Sequence, residues 1–376
     1  MPSCVFMESG GQATHGLEFY SSSAGAATVD GTVTRNGPKS IKLNTSSPAV
    51  DARVTRTGVL ADAGRRISFW FRFSAAPAAS SAFCRALNSG GTARVRIRLT
   101  TSRTLSVEGV GASTVTGSTV LSVDTWYRIT FSYSITSTTI YTAKVYINGT
   151  LEATANTGTL TGTGTVDIDW QADTTNGTNR LMYFSDIYID DGTDSSDPGK
   201  IGVTYKAPNA NTNINEFDTG VGASPANRWE NVDDRPISAA TGWQQAASAE
   251  AEEVYTLQNR ITGDLDIGRY PIVAVCGWVW AKQTTGGGGS PAIFVSSTGY
   301  SITLTSTAAL HTKLLTQDTY PNSDDPTPYG IGMRSGGTAD DTFLYECGCL
   351  IAYEEKILPL FDGLSTLQAV KRAASF

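Results

Sequence analysis

The chain has 376 residues, 17% of them charged, a formal net charge of −7 and five cysteines. Its length suits about two domains of ordinary size, each able to bury a core. The acidic balance disfavours nucleic-acid binding through counterion release, and Thr, Ser, Gly and Ala make up the charge missing against the roughly 25% usual in soluble domains.

Cys4, Cys84, Cys276, Cys347 and Cys349 form no CxxC pair. Only His15 and His311 could complete a zinc site, so reduced thiols in cores are expected. The opening MPSCVFMESG lacks the basic and apolar regions of a signal peptide. No apolar run approaches the roughly 18 residues of a membrane span, so none is expected.

Residues 1–60 read as short strands over 4–7, 16–20 and 40–43, broken by the turn Arg35-Asn36-Gly37-Pro38. In RISFWFRFS, Ile67, Phe69, Phe71 and Phe73 alternate with Ser68, Trp70 and Arg72, the pattern of a central strand. Arg94, Arg96 and Arg98 alternate with Val95, Ile97 and Leu99, which places the arginines on the wet face of a hairpin strand, with a patch for an anion or a partner as the alternative. A long hairpin then spans 122–150. Its first arm sets Tyr127, Ile129, Phe131, Tyr133 and Ile135 against Trp126, Arg128, Thr130, Ser132 and Ser134, a half-buried strand. Its second arm ends in Asn148-Gly149, where a positive φ is easily reached. Further strands are expected over 150–155, 165–170 and 180–189, at the spacing of a sandwich.

From Asp190 the chain turns rich in Asn, Asp, Gly and Pro, which marks the domain boundary, with residues 206–235 as a linker or an ordered interdomain crossing. Strands resume over 254–257, 270–282, 291–297, 300–304, 329–334 and 342–353, and AASAEAEE over 246–253 has helical propensity. Beyond Glu354, Leu360, Phe361, Leu364, Leu367 and Val370 recur at spacings of 3 and 4, the stripe of an amphipathic helix that needs a surface to cover, either its own domain or another subunit. The expected fold class is all-β: two β-sandwich or jelly-roll domains in tandem, residues 1–205 and 236–353, followed by a short helical tail over 354–376.

Among chemical constellations, Asp167-Ile168-Asp169-Trp170-Gln171 resembles the EIDWE signature of laminarinase-type glycoside hydrolases. In that signature alternate residues of one strand place two glutamates toward the sugar. Residues i and i+4 stand roughly 13 Å apart on a flat strand, so a bulge is needed to bring two carboxyls within about 5–5.5 Å for a retaining mechanism. Here the acid/base position would be Gln171, whose amide cannot donate and recover a proton. No catalytic residue and no enzymatic activity are expected on that ground. Asp186, Asp190, Asp191, Asp194 and Asp197 form an acidic turn, a solvated loop or a source of oxygen ligands for a structural calcium ion with Asp190, Asp191, Asp194 and Asp197 as its ligands, although the 12-residue calcium-loop pattern is missing; no other cofactor is expected. Neither histidine adjoins a nucleophile elbow, and no phosphate loop follows the glycines at 286–289.

The run RNGPKSIKL, RISFWFRFS, VRIRL, WYRITF, VYINGT and YFSDIYIDDGTDSSDPG resembles the concanavalin A-like (laminin G-like) jelly-roll domains of tailed-bacteriophage virion proteins. RWENVDDRP, VYTL and YPIVAVCGWVWAK are similar to the accessory β domain that follows such a sandwich in phage head and tail appendages. The resemblance implies a virion structural protein, made in the host cytoplasm and placed as a head decoration, collar or tail/fibre component. It implies assembly contacts with other virion proteins, and the stripe Leu360, Phe361, Leu364, Leu367 and Val370 is the expected contact within a homo-oligomer. The alternative is a glycan-binding module for host attachment, with Trp170 and Trp229 stacking on sugar rings. A glycan hydrolase is the remaining alternative, disfavoured by Gln171.

Overall fold

The computed structural model describes residues 4–8, 17, 19–35, 39–44, 51–111, 113–156, 158–172, 180–192, 199–206, 208–215, 217, 219–221, 243–246, 251–257, 272–284, 290–295, 298–316, 330–336 and 342–354. Every described regular element is a strand, and the strands pair antiparallel in four sheets. The helical stripe from Leu360 to Val370 lies outside the described residues.

In the first half, an eight-stranded sheet runs Thr150–Ala155, Tyr141–Ile147, Tyr127–Ile135, Arg65–Phe73, Leu181–Asp190, Ser40–Asn44 and Ala26–Asp30, with Cys4–Glu8 also paired to Leu181–Asp190. A seven-stranded sheet runs Thr114–Thr116, Leu105–Gly109, Ala93–Leu99, Ser81–Asn88, Thr165–Ala172, Ala52–Arg56 and Ser22–Ala24. Their facing sides are strongly aromatic, because period-2 alternation sends Phe69, Phe71, Phe73, Phe184 and Trp170 inward, all fully buried. Phe71 stacks on Phe83 at 4.3 Å between ring centres, and Phe69 meets Trp170 edge-on at 6.2 Å.

In the second half, one sheet orders Thr219–Val221, Trp243–Ala246, Thr342–Glu354, Ile272–Gln283 and Ala309–Thr316, with Ile201–Lys206 also paired to Thr342–Glu354. The other orders Pro208–Asn215, Glu252–Leu257, Gly330–Arg334, Ala292–Val295 and Thr298–Ser301. Val275, Val279, Ile293, Val295, Ile331 and Cys349 form the core between them. The two halves also touch. Phe19 meets Trp278 edge-on at 6.2 Å, and Ala274, Cys276, Leu350 and Ala352 belong to the apolar cluster of the first sandwich.

Within the segment 206–235, Pro208–Asn215 and Thr219–Val221 are strands of the second pair of sheets. Several expectations change. AASAEAEE is no helix at its described ends: Ala246 closes one strand, and Glu252 and Glu253 open another. There alternate burial and cross-strand pairing outweigh a weak helical propensity. Leu17–Tyr20 contains a turn closed by Tyr20 N–H donating to Leu17 O at 3.0 Å, where a strand was expected. In the long hairpin the polar face is covered as well: Arg128, Thr130 and Ser132 are as buried as Ile129 and Phe131. One contact over that face is Arg128, whose guanidinium donates to Gly199 O.

Candidate functional site

The outward side of the seven-stranded sheet is built from in-register rungs. Ile168 and Trp170 face the core, so Asp167, Asp169 and Gln171 face outward, as the alternation requires. Through direct cross-strand partners one rung reads Thr55, Asp169, Arg85, Arg96, Glu108 and Thr114. The adjacent rung carries Arg53 opposite Gln171, then Ala82, Arg98, Ser106 and Thr116 in mutual register. Gln171 ties the two parts of this rung together by donating from Nε2 to Ala82 O at 3.2 Å.

Along the first rung two adjacent arginines, Arg85 and Arg96, are flanked by the acids Asp169 and Glu108, and the two signs differ in depth. Arg85 clamps Asp169 with two hydrogen bonds, one of them from Nε at 2.9 Å. Glu108 accepts from Arg96, from Arg98 at 3.3 Å and from the Thr114 hydroxyl at 2.6 Å. The acids are sunk: the side chains of Asp169 and Glu108 are 0% and 7% exposed, against 19%, 28% and 27% for Arg85, Arg96 and Arg98. Burial alone would raise the Glu108 carboxyl, but the Thr114 hydroxyl and the two guanidiniums outweigh it and hold Glu108 below its ordinary value.

Arg94 departs from the wet-face expectation. It is buried, paired with Asp62 and donating to the Thr165 hydroxyl at 3.0 Å, because the segment that carries Asp62 closes over it. Asp167, the nucleophile position of the glycosidase-like signature, is partly buried and accepts from Gly58 N–H at 3.0 Å. Gln171 is buried on its own strand.

The outward side of the eight-stranded sheet holds a second arrangement. The register of Leu181–Asp190 against Arg65–Phe73 slips between Ser185 and Tyr188, and Asp186 sits there at φ 49, a bulge that re-aims its side chain. The buried Asp186 carboxylate accepts from Arg35 at 2.5 Å, and the Arg35 guanidinium lies 3.5 Å from the centre of the Trp70 ring. Beside them Arg72 pairs with Asp124 at 2.9 Å and Lys42 with Asp30 at 3.0 Å, flanking Tyr183.

The residues singled out in the sequence are dispersed. Trp170 is fully buried between Tyr20 and Phe69, so it offers no face to a sugar; its place on an inward-pointing position settles this. Trp229, Asp194, Asp197, Leu360, Phe361, Leu364, Leu367 and Val370 lie outside the described residues. Asp190 is buried and held by Arg66 through Nε at 3.1 Å and Nη2 at 2.9 Å, and burial outweighs that arginine to push its carboxyl up. Spent on an arginine, Asp190 makes a poor calcium ligand; Asp191 is exposed beside it, and among the described residues no three acidic, His or Cys side chains gather as a metal site. Arg85 and Arg35 were not singled out, and Asp186 was named only as a member of the acidic turn offered for calcium, whereas its carboxylate is held by Arg35. Their signal is long-range, since Arg85 and Asp169 are 84 residues apart and Arg35 and Asp186 are 151 apart.

Residues 44–191 match the model of the Concanavalin A-like lectin/glucanases superfamily. No curated protein matches the chain. Among solved structures, an endo-beta-1,4-glucuronan lyase from the fungus Trichoderma reesei is similar at 16% identity and a TM-score of 0.42, over 51% of this chain and 98% of that one. A carbohydrate esterase from the Shiga toxin-encoding bacteriophage phi24B is similar at 15% identity and a TM-score of 0.40, over 51% of this chain and 100% of that one. Trypanosoma rangeli sialidase is similar at 12% identity and a TM-score of 0.33, over 46% of this chain and 29% of that one. The expectation that the chain is no enzyme is overturned by the presence of a lyase, an esterase and sialidases among these structures. The amide at Gln171 bears on one glycosidase mechanism and on no other chemistry. The paired sheets and the matched segment together give the first half of this all-β chain a concanavalin A-like fold.

Proposed function

We propose that the chain is a structural component of a phage virion, a head decoration, collar or tail/fibre appendage, whose first sandwich presents a carbohydrate-binding face for host attachment. The observation that carries the carbohydrate part is the outward side of the seven-stranded sheet of a concanavalin A-like domain, where two adjacent rungs offer guanidinium and hydroxyl groups. Such groups hydrogen-bond sugar hydroxyls in fixed geometry. The virion part is supported by the tandem of motifs shared with phage appendages, and by a surface polar through hydroxyls. Assembly would proceed through contacts with other virion chains and with further copies of this one, and Leu360, Phe361, Leu364, Leu367 and Val370 are the side chains proposed for them.

Two measurements test this reading. Mass spectrometry of purified particles is expected to find the chain at a fixed stoichiometry; its presence only in free lysate protein would overturn the virion role. A glycan array probed with the full chain is expected to give a signal that Arg98→Gln weakens, and a blank array would overturn the carbohydrate role.

A further inference from the structure

We infer that the outward side of the seven-stranded sheet takes an anionic saccharide, a glycan bearing carboxylates, on the guanidinium groups of Arg85, Arg96 and Arg98. This deepens the carbohydrate reading and rests on it.

The argument is one of depth. Arg85 and Arg96 are direct cross-strand partners, and Arg98 is two residues further along the same strand, so three guanidiniums share one face within about 5–7 Å of backbone spacing. Like charges directly opposite are normally avoided. Here they are held together from below: Asp169 and Glu108 are buried, and the arginines that cover them reach solvent. A ligand therefore meets the cationic layer first. The same buried acids fix the guanidinium planes in advance, which lowers the ordering cost of binding. With Arg53, exposed at the margin, the face carries four arginines against Asp167, Asp169 and Glu108, a local excess of +1 in a chain whose net charge is −7.

A planar guanidinium fork matches a carboxylate in bidentate geometry, and the match is stronger than a neutral hydrogen bond. Ser106, opposite Arg98, and Gln171, opposite Arg53, are buried with the carboxylates beneath the arginines. Thr55, Thr114 and Thr116 add hydroxyls along the rungs. Uronate and sialate chains share this carboxylate chemistry.

The test is affinity electrophoresis of the full chain against polygalacturonate, polysialic acid and neutral laminarin, at low and raised salt. Retardation by at least one of the acidic polymers is expected, weakened by salt and about tenfold by Arg96→Gln or Arg98→Gln; which polymer retards tells uronate from sialate. Arg53→Gln, which leaves both buried acids paired, is expected to weaken binding less and guards against loss through misfolding, as does an unchanged thermal midpoint in each variant. Equal retardation by laminarin, or variants that bind the acidic polymers as well as the parent, would overturn the anionic assignment and leave the carbohydrate reading standing. No retardation by any of the three would overturn both.

Discussion

The Arg35 guanidinium carbon lies 3.5 Å from the centre of the Trp70 ring, and Asp186 holds it there from a bulged position at φ 49. The pair is nearly sealed, with 12% of the Arg35 side chain and none of that of Asp186 exposed. Removing one partner of such a pair leaves the other charge buried without its counterion, at a cost of about 3–5 kcal/mol. Asp186→Ala is therefore expected to lower the unfolding free energy by that order, read as a fall in the urea midpoint, and to shift tryptophan emission as Arg35 leaves the Trp70 face. An unchanged midpoint and spectrum would mean that the stacked arrangement does not persist in solution.

Trp170 behaves as core. Trp170→Ala removes a ring packed against Phe69 and Tyr20, a loss of about 3–5 kcal/mol by cavity formation. Chemical denaturation should show a large destabilisation. A variant of parental stability that had lost only glycan binding would restore Trp170 to the surface.

Gly277 faces Val295 and Ile331 of the opposite sheet in the second half. A Cβ there would lie 2.3 Å from Val295 Cγ2 and 3.1 Å from Ile331 Cδ1. Gly277→Ala should cost about 1–3 kcal/mol through overpacking, and Val295→Ala in the same chain should recover part of it. Additive losses in the double variant, measured by thermal melting, would argue against the contact.

The acid limb of stability should depend on Glu108 and Asp62. Both carboxyls are held below their ordinary values: burial opposes this, but Thr114, Arg96 and Arg98 prevail at Glu108, and Thr165 and Arg94 at Asp62. A depressed folded value means stability that is present above the unfolded value, near 4.5 for Glu108, and lost as pH falls through the folded one. Asp190 has the opposite sign, since its raised carboxyl favours the fold as it protonates. Glu108→Gln is expected to flatten the decline of the thermal midpoint below pH about 4.5. A parental slope in that variant would assign the acid limb to other groups.

Much of the first sandwich was legible because a strand writes its face into the sequence every second residue. Arg65–Phe73, Tyr127–Ile135, Tyr141–Ile147 and Thr150–Ala155 fall where alternation put them. Ser81–Asn88 was not legible: SAFCRALN carries a bulge between Ala82 and Cys84, and Phe83, Cys84 and Ala86 are all buried, so no alternation survives. Asp167, Asp169 and Gln171 could be placed on one face from the sequence, but their partners could not.

Local order in this chain determined the class of fold, the inward aromatic rows and the shared face of Asp167, Asp169 and Gln171, because side-chain direction in a strand is set by the backbone alone. Tertiary structure decided what lies over and beside each face. It buried Arg94 under Asp62, closed Trp170 into the core, set Arg85 beside Arg96 above two sunken carboxylates, and turned Asp186 outward to meet Arg35. Those outcomes depend on which strands adjoin across 84 or 151 residues of chain, and the period of a single strand carries no record of its neighbours.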